Sequence, residues 1–172
     1  FPELKNIEIF SKLNLIQTEI LKNADFIFLI SLLIIDETDN SEYFLYKYNI
    51  SNKDQKRIKN LVNFYKEKKD KKKFTENYLN KIFYYNGRQA VIDILNFGII
   101  KFKKSEKKLI ELISFYSDKM IPTMPIGAKL LMTKYDIPEG KQLGSKLKLI
   151  EEEWVKNDFQ ISENQVDDIV ND

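Results

Sequence analysis

The chain has 172 residues, enough for one medium domain or two small helical units sharing a core. It holds no Cys and no His, which excludes a disulfide, a thiol nucleophile, a thiolate metal site and the commonest general base. Net charge is only +2, yet residues 51–110 carry 17 basic and 6 acidic groups, a net of +11, while residues 1–50 stand at −4 and residues 151–172 at −7.

Such a concentration of cations attracts a polyanion, and nucleic acid is the commonest one in the cytoplasm; a solvated Lys-rich surface is the plainer reading. Only 5 Gly and 4 Pro interrupt the chain, so long segments run without breakers and the expected class is all-α, with nine or ten helices. The longest apolar run, Phe26 to Ile35, is about half of what spans a bilayer. Residues 1–22 are charged throughout and do not read as a signal peptide, so the expected compartment is the cytoplasm. A start at Phe1 rather than Met suggests a piece of a longer protein.

Taken in chain order, Pro2 suits a first helical turn, and a helix through Leu4–Lys22 with a break near Asn14 follows. Asn23 is placed to cap a helix over Ala24–Ile35, which is apolar nearly all round and should lie at the centre of a bundle. Asp36 to Asn40 forms a polar loop, and Ser41 opens a short helix to Tyr48. Ser51 and Asp54 have capping-box spacing. Ile58, Leu61, Val62 and Tyr65 then mark one face of a helix that fades into the charge run ending at Lys73. Leu79, Ile82 and Phe83 mark a helix stopping at Asn86-Gly87. Val91, Ile94 and Leu95 mark one ending at Gly98. Ser105 opens another, carrying Leu109, Leu112, Ile113 and Tyr116.

Met120–Pro125 reads as an irregular connection, so the chain divides into a helical body, 1–120, and a small helical tail, 121–172. In the tail, Gly127–Tyr135 is a short helix and Ile137–Gly140 a turn. Leu143, Leu147, Ile150 and Trp154 share one face of the next helix. Ser162 and Glu163 start a frayed last turn.

Asp36/Asp39 and Asp167/Asp168 are the paired carboxylates. Mg²⁺ chemistry needs carboxylates on a rigid scaffold beside a nucleotide pocket, and these read as surface charge. No catalytic residue and no metal ligand is expected. Lys68, Lys69, Lys71, Lys72 and Lys73 form the densest basic stretch, either a solvated loop or a set of phosphate contacts without sequence preference. Gly140 and Gly144 bracket the start of the Trp154 helix. Either Gly140 merely caps that helix and Gly144 packs against another, or the backbone there stays open to an anion, with Lys141, Lys146 and Lys148 adding charge. Trp154, on the apolar face, reads as a core anchor.

Residues 125–159 resemble the tail of bacterial class II tRNA nucleotidyltransferases, the CCA-adding enzymes of the poly(A) polymerase superfamily. That tail runs Pro, Gly-x-x-Leu, then Pro-Gly-Pro-x-x-Gly, then Leu-x-x-Leu-Glu-x-x-Trp. Here Pro125, Gly127, Leu130, Gly140, Gly144, Leu147, Ile150, Glu151 and Trp154 stand in those places, with Lys141 where the family has its second proline. Phe1-Pro-Glu-Leu-Lys-Asn, the stretch Leu45 to Asp54, and Gly87-Arg88 with Val91 are similar to the family's middle part.

The family's head carries Gly-Ser and Asp-x-Asp, which hold metal, and its neck carries Glu-Asp-x-x-Arg, which selects CTP and ATP. Neither occurs here. The resemblance therefore implies body plus tail, which grip the acceptor and TψC stem of tRNA, with Arg88 among the contacts. Mg²⁺ and CTP or ATP would belong to the missing head, and this part would be inactive alone. Two alternatives stay open: the same part of a poly(A) polymerase, or a helical protein-interaction scaffold.

Overall fold

A computed structural model of the chain describes residues 4, 6–11, 13–67, 74–102 and 106–171. Among these the protein is all-α, with ten α-helices, one short 3-10 helix at Ile7–Phe10 and no strand. The helices are α1 (Leu15–Lys22), α2 (Phe26–Ile34), α3 (Asn40–Lys47), α4 (Asn52–Lys66), α5 (Glu76–Asn86), α6 (Arg88–Phe102), α7 (Glu106–Asp118), α8 (Ala128–Lys134), α9 (Lys141–Lys156) and α10 (Glu163–Asn171). No described helix is long and apolar enough to cross a membrane. Pro2 and Ser105, expected at helix starts, lie outside the described residues, as does the Phe1-Pro-Glu stretch.

The chain gathers into two compact units, Phe1–Phe74 with Asn86–Lys119, and Thr75–Tyr85 with Met120–Asp172. The sequence reading divides the chain once, at 120/121, whereas the second unit also takes in α5 up to Tyr85. The reason lies in pairings far apart in sequence. Tyr84 donates to Glu151 Oε1 at 2.6 Å, Asn80 Nδ2 donates to Asp158 Oδ1 at 3.0 Å, and Asn77 Nδ2 donates to the Lys156 carbonyl.

In the first unit α6 is the central element. It buries Ala90, Val91, Asp93, Ile94, Leu95, Phe97, Gly98, Ile99 and Ile100, because α1, α2, α4 and α7 all pack on it. The expected stop at Gly98 is not one: α6 runs on to Phe102. Gly98 instead permits a close approach, since a Cβ there would lie 2.7 Å from Phe74 Cζ. The stop expected at Asn86-Gly87 does hold: α5 ends there, at Gly87, whose φ of +83° only glycine adopts readily. α2 buries Phe28, Ile30, Leu32 and Ile34, each large side chain contributing roughly 1.5–3 kcal/mol. Its N-cap is Asp25, not Asn23, for Asp25 accepts from the Phe28 N–H at 3.0 Å.

Two other caps follow from sequence. Asn14 and Gln17 bond reciprocally to start α1, converting the expected break into a true helix start. Ser51 accepts from the Asp54 N–H at 3.2 Å and starts α4.

The second unit has its own core of Leu131, Ile137, Leu143, Ile150 and Val166, with Met124, Ile126, Leu147 and Ile169 packed around it. α9 packs against both α8 and α10. Rather than a frayed turn, residues 163–171 form a nine-residue helix, capped by Ser162, whose hydroxyl accepts from the Gln165 N–H at 3.3 Å, and anchored by buried Val166.

Candidate nucleic-acid interface

α9 carries the glycine motif. Gly140 is its N-cap, with φ +148° and ψ −162°, and no side chain caps this end. The first intrahelical bond runs from the Gly144 N–H to the Gly140 carbonyl, at 3.1 Å. The three N–H groups before it, on Lys141, Gln142 and Leu143, belong to the set that a helix leaves without an internal acceptor. Gly140 thus does cap the helix. Gly144 does not pack against a neighbour: a Cβ there would meet nothing within 4 Å.

Lys141, Gly144, Ser145 and Lys148 follow one another at i, i+3, i+4 and i+7, and all four are exposed. They form one solvent face, while Leu143, Ile150 and Trp154 form the buried one. Lys148 is three-quarters exposed, and its Nζ lies 3.8 Å from Glu152 Oε1. Lys146 behaves differently. It is half-buried and donates to the Ile169 carbonyl at 2.8 Å, so its charge serves the C-terminal end of α10.

A groove of about 500 Å³ lies between α5 and α9, lined by Lys81, Tyr85 and Lys148 among others. Burial pushes the Tyr85 phenol above its ordinary pKa, helped by the charges of Glu151 and Glu152. Sequence reasoning passed over Lys81 and Tyr85. Their i, i+4 spacing on α5 was the one available signal.

Trp154 is 2 % exposed, with the rings of Tyr84 and Phe159 at 5.3 and 5.1 Å, a core anchor rather than a stacking platform.

In the first unit, Arg88 opens α6, is exposed, and donates through Nη2 to the Lys119 carbonyl at 3.2 Å. Lys68, Lys69, Lys71, Lys72 and Lys73 lie outside the described residues. Asp36 accepts from the Thr38 N–H and hydroxyl at 2.8 and 2.5 Å in a surface loop, and Asp167 accepts from the Tyr135 hydroxyl at 2.5 Å. Among the described residues no group of three or more carboxylates is arranged to hold a metal ion. The chain matches no family model, no curated protein and no solved structure.

Proposed function

We propose that the chain grips duplex RNA through its sugar–phosphate backbone. The RNA is the acceptor and TψC stem of tRNA, and the gripping serves CCA addition in the cytoplasm by a nucleotidyltransferase head that supplies Mg²⁺ and binds CTP and ATP. The observation that carries this reading is the solvent face of α9. There a helix start without a side-chain cap, an open Gly144 and the exposed ammonium groups of Lys141 and Lys148 stand side by side. Backbone N–H groups and point charges suit phosphates, and phosphate contacts carry no sequence preference. Duplex RNA invites this mode, since side chains cannot read its deep, narrow major groove. The resemblance of residues 125–159 to the CCA-adding tail names the particular RNA.

The test is tRNA affinity across a salt titration. Each neutralised phosphate releases counterions, so the log of the affinity should fall linearly with the log of salt. Replacing Lys141 and Lys148 by Gln should flatten the slope by roughly 1 to 2, at about 0.7–0.9 per phosphate contact. Affinity that is absent, or indifferent to salt, overturns the reading and favours a protein-interaction scaffold.

A further inference from the structure

In the first unit a cleft of about 560 Å³ opens between α2, α4 and the start of α6. Its polar groups divide into two sets. Arg57 is held by Asp93 and Asp25, and Asp54 by the Ser51 hydroxyl at 2.6 Å. The remainder keep unused charge or hydrogen-bonding capacity among the described residues. Lys53 and Lys56 are exposed and make no ion pair, and the side chains of Asn60 and Asn86 make no hydrogen bond. Gln89 donates to Asp93 Oδ1 at 2.9 Å, but its own carbonyl oxygen accepts nothing. Beside these groups stands Phe26, 70 % exposed. Its neighbours on α2 bury Phe28, Ile30, Leu32 and Ile34, so core packing does not account for an aromatic ring at this polar rim.

These groups match the parts of a nucleotide. An exposed aromatic face stacks on any base. Carboxamides offer donor and acceptor side by side, as the hydrogen-bonding edge of a base requires. Two ammonium groups meet a phosphate, and the lining holds three cations against two carboxylates. A base inside a duplex is stacked on both faces and cannot enter; an unpaired one can.

We infer that this cleft binds one unpaired nucleotide of an RNA, its base on Phe26, its edge toward Asn60, Asn86 and Gln89, and its phosphate toward Lys53 and Lys56. This rests on the RNA-binding reading and adds to it a site for a single-stranded segment.

Two labelled RNAs test it by fluorescence anisotropy on the full chain: a blunt hairpin duplex, and an unstructured oligonucleotide of equal phosphate count. Phe26→Ala, with an unchanged melting curve, should weaken the unstructured RNA by about 5- to 100-fold, the range for loss of one base–aromatic stack. The duplex should change by less than about twofold, and Phe26→Trp should restore binding of the unstructured RNA. Equal losses for both RNAs, or no loss for the unstructured one, overturn the inference and leave duplex binding standing. If the unaltered chain binds neither RNA, the RNA-binding reading itself falls.

Discussion

Arg57 grips Asp93 with two donors at once, Nε lying 2.5 Å from Oδ2 and Nη2 2.8 Å from Oδ1. The Asp93 side chain is 3 % exposed, and its Oδ1 also accepts from Gln89. The third arm of the guanidinium, Nη1, reaches Asp25 Oδ2 at 2.5 Å, on the residue that caps α2. One side chain on α4 therefore ties α2 and α6 together. The hydrogen bond that Arg57 donates to Asp93 pushes the Arg57 pKa up against the opposing effect of burial, so the guanidinium stays charged at any working pH.

Arg57→Ala should cost about 3–5 kcal/mol, since it leaves Asp93 buried without its partner. Urea denaturation of the two proteins measures the difference. A cost below about 1 kcal/mol would mean that water reaches Asp93 readily. The double variant Arg57→Ala with Asp93→Ala should recover part of the loss, because the buried charge then disappears with its partner.

Trp154→Ala should cost roughly 3–5 kcal/mol, as for other large aromatic deletions from a core. Trp154 is the sole tryptophan, so its emission reports on the second unit alone. In the folded protein that emission should lie to the blue of free tryptophan. If the substitution left the melting temperature unchanged and weakened RNA binding, Trp154 would be a stacking residue instead.

Gly144→Ala should stabilise the protein by roughly 0.5–1 kcal/mol, because Ala favours a helix over Gly and the added methyl meets open space. Gly144→Glu should keep the fold and lower tRNA affinity by placing bulk and negative charge on the open face of α9. A melting curve and a binding isotherm for each variant separate the two effects. Full affinity in Gly144→Glu would remove this face from the RNA interface.

Replacing Lys68, Lys69, Lys71, Lys72 and Lys73 by Gln should lower tRNA affinity and flatten its salt dependence, similarly for different tRNAs. Unchanged binding at every salt concentration would make the +11 segment a feature of solubility.

Burial pushes the Tyr84 phenol up to about 12, with the Glu151 hydrogen bond and charge adding to it. Unfolded, that phenol loses its proton near the ordinary value of 10.0. The unfolded chain thus sheds the proton first as pH rises. Stability is fully present below pH 10 and falls between about 10 and 12. Tyr84→Phe should show a shallower loss across that window, read from urea midpoints at successive pH values. Parallel curves would show that the phenol titrates alike in both states.

Much of the fold was legible because its signals are local. Leu143, Leu147, Ile150 and Trp154 recur at the helical period, and Gly140 interrupts the pattern, so α9 could be drawn from the sequence. Ser51 with Asp54 marked the start of α4, and Gly87 the gap between α5 and α6. Each depends on residues a few positions apart, where backbone geometry alone decides the outcome.

Tertiary structure decided the rest. Gly98 reads as a helix end, and only the ring of Phe74 beside it explains a glycine inside a buried helix. Lys146 and Lys148 look alike in sequence, yet one closes α10 and the other faces solvent, because a helix turns positions two residues apart by some 200°. Arg57 with Asp93, and Tyr84 with Glu151, lie 36 and 67 residues apart. No spacing rule reaches that far, since such pairs form only when packed apolar faces bring their helices together.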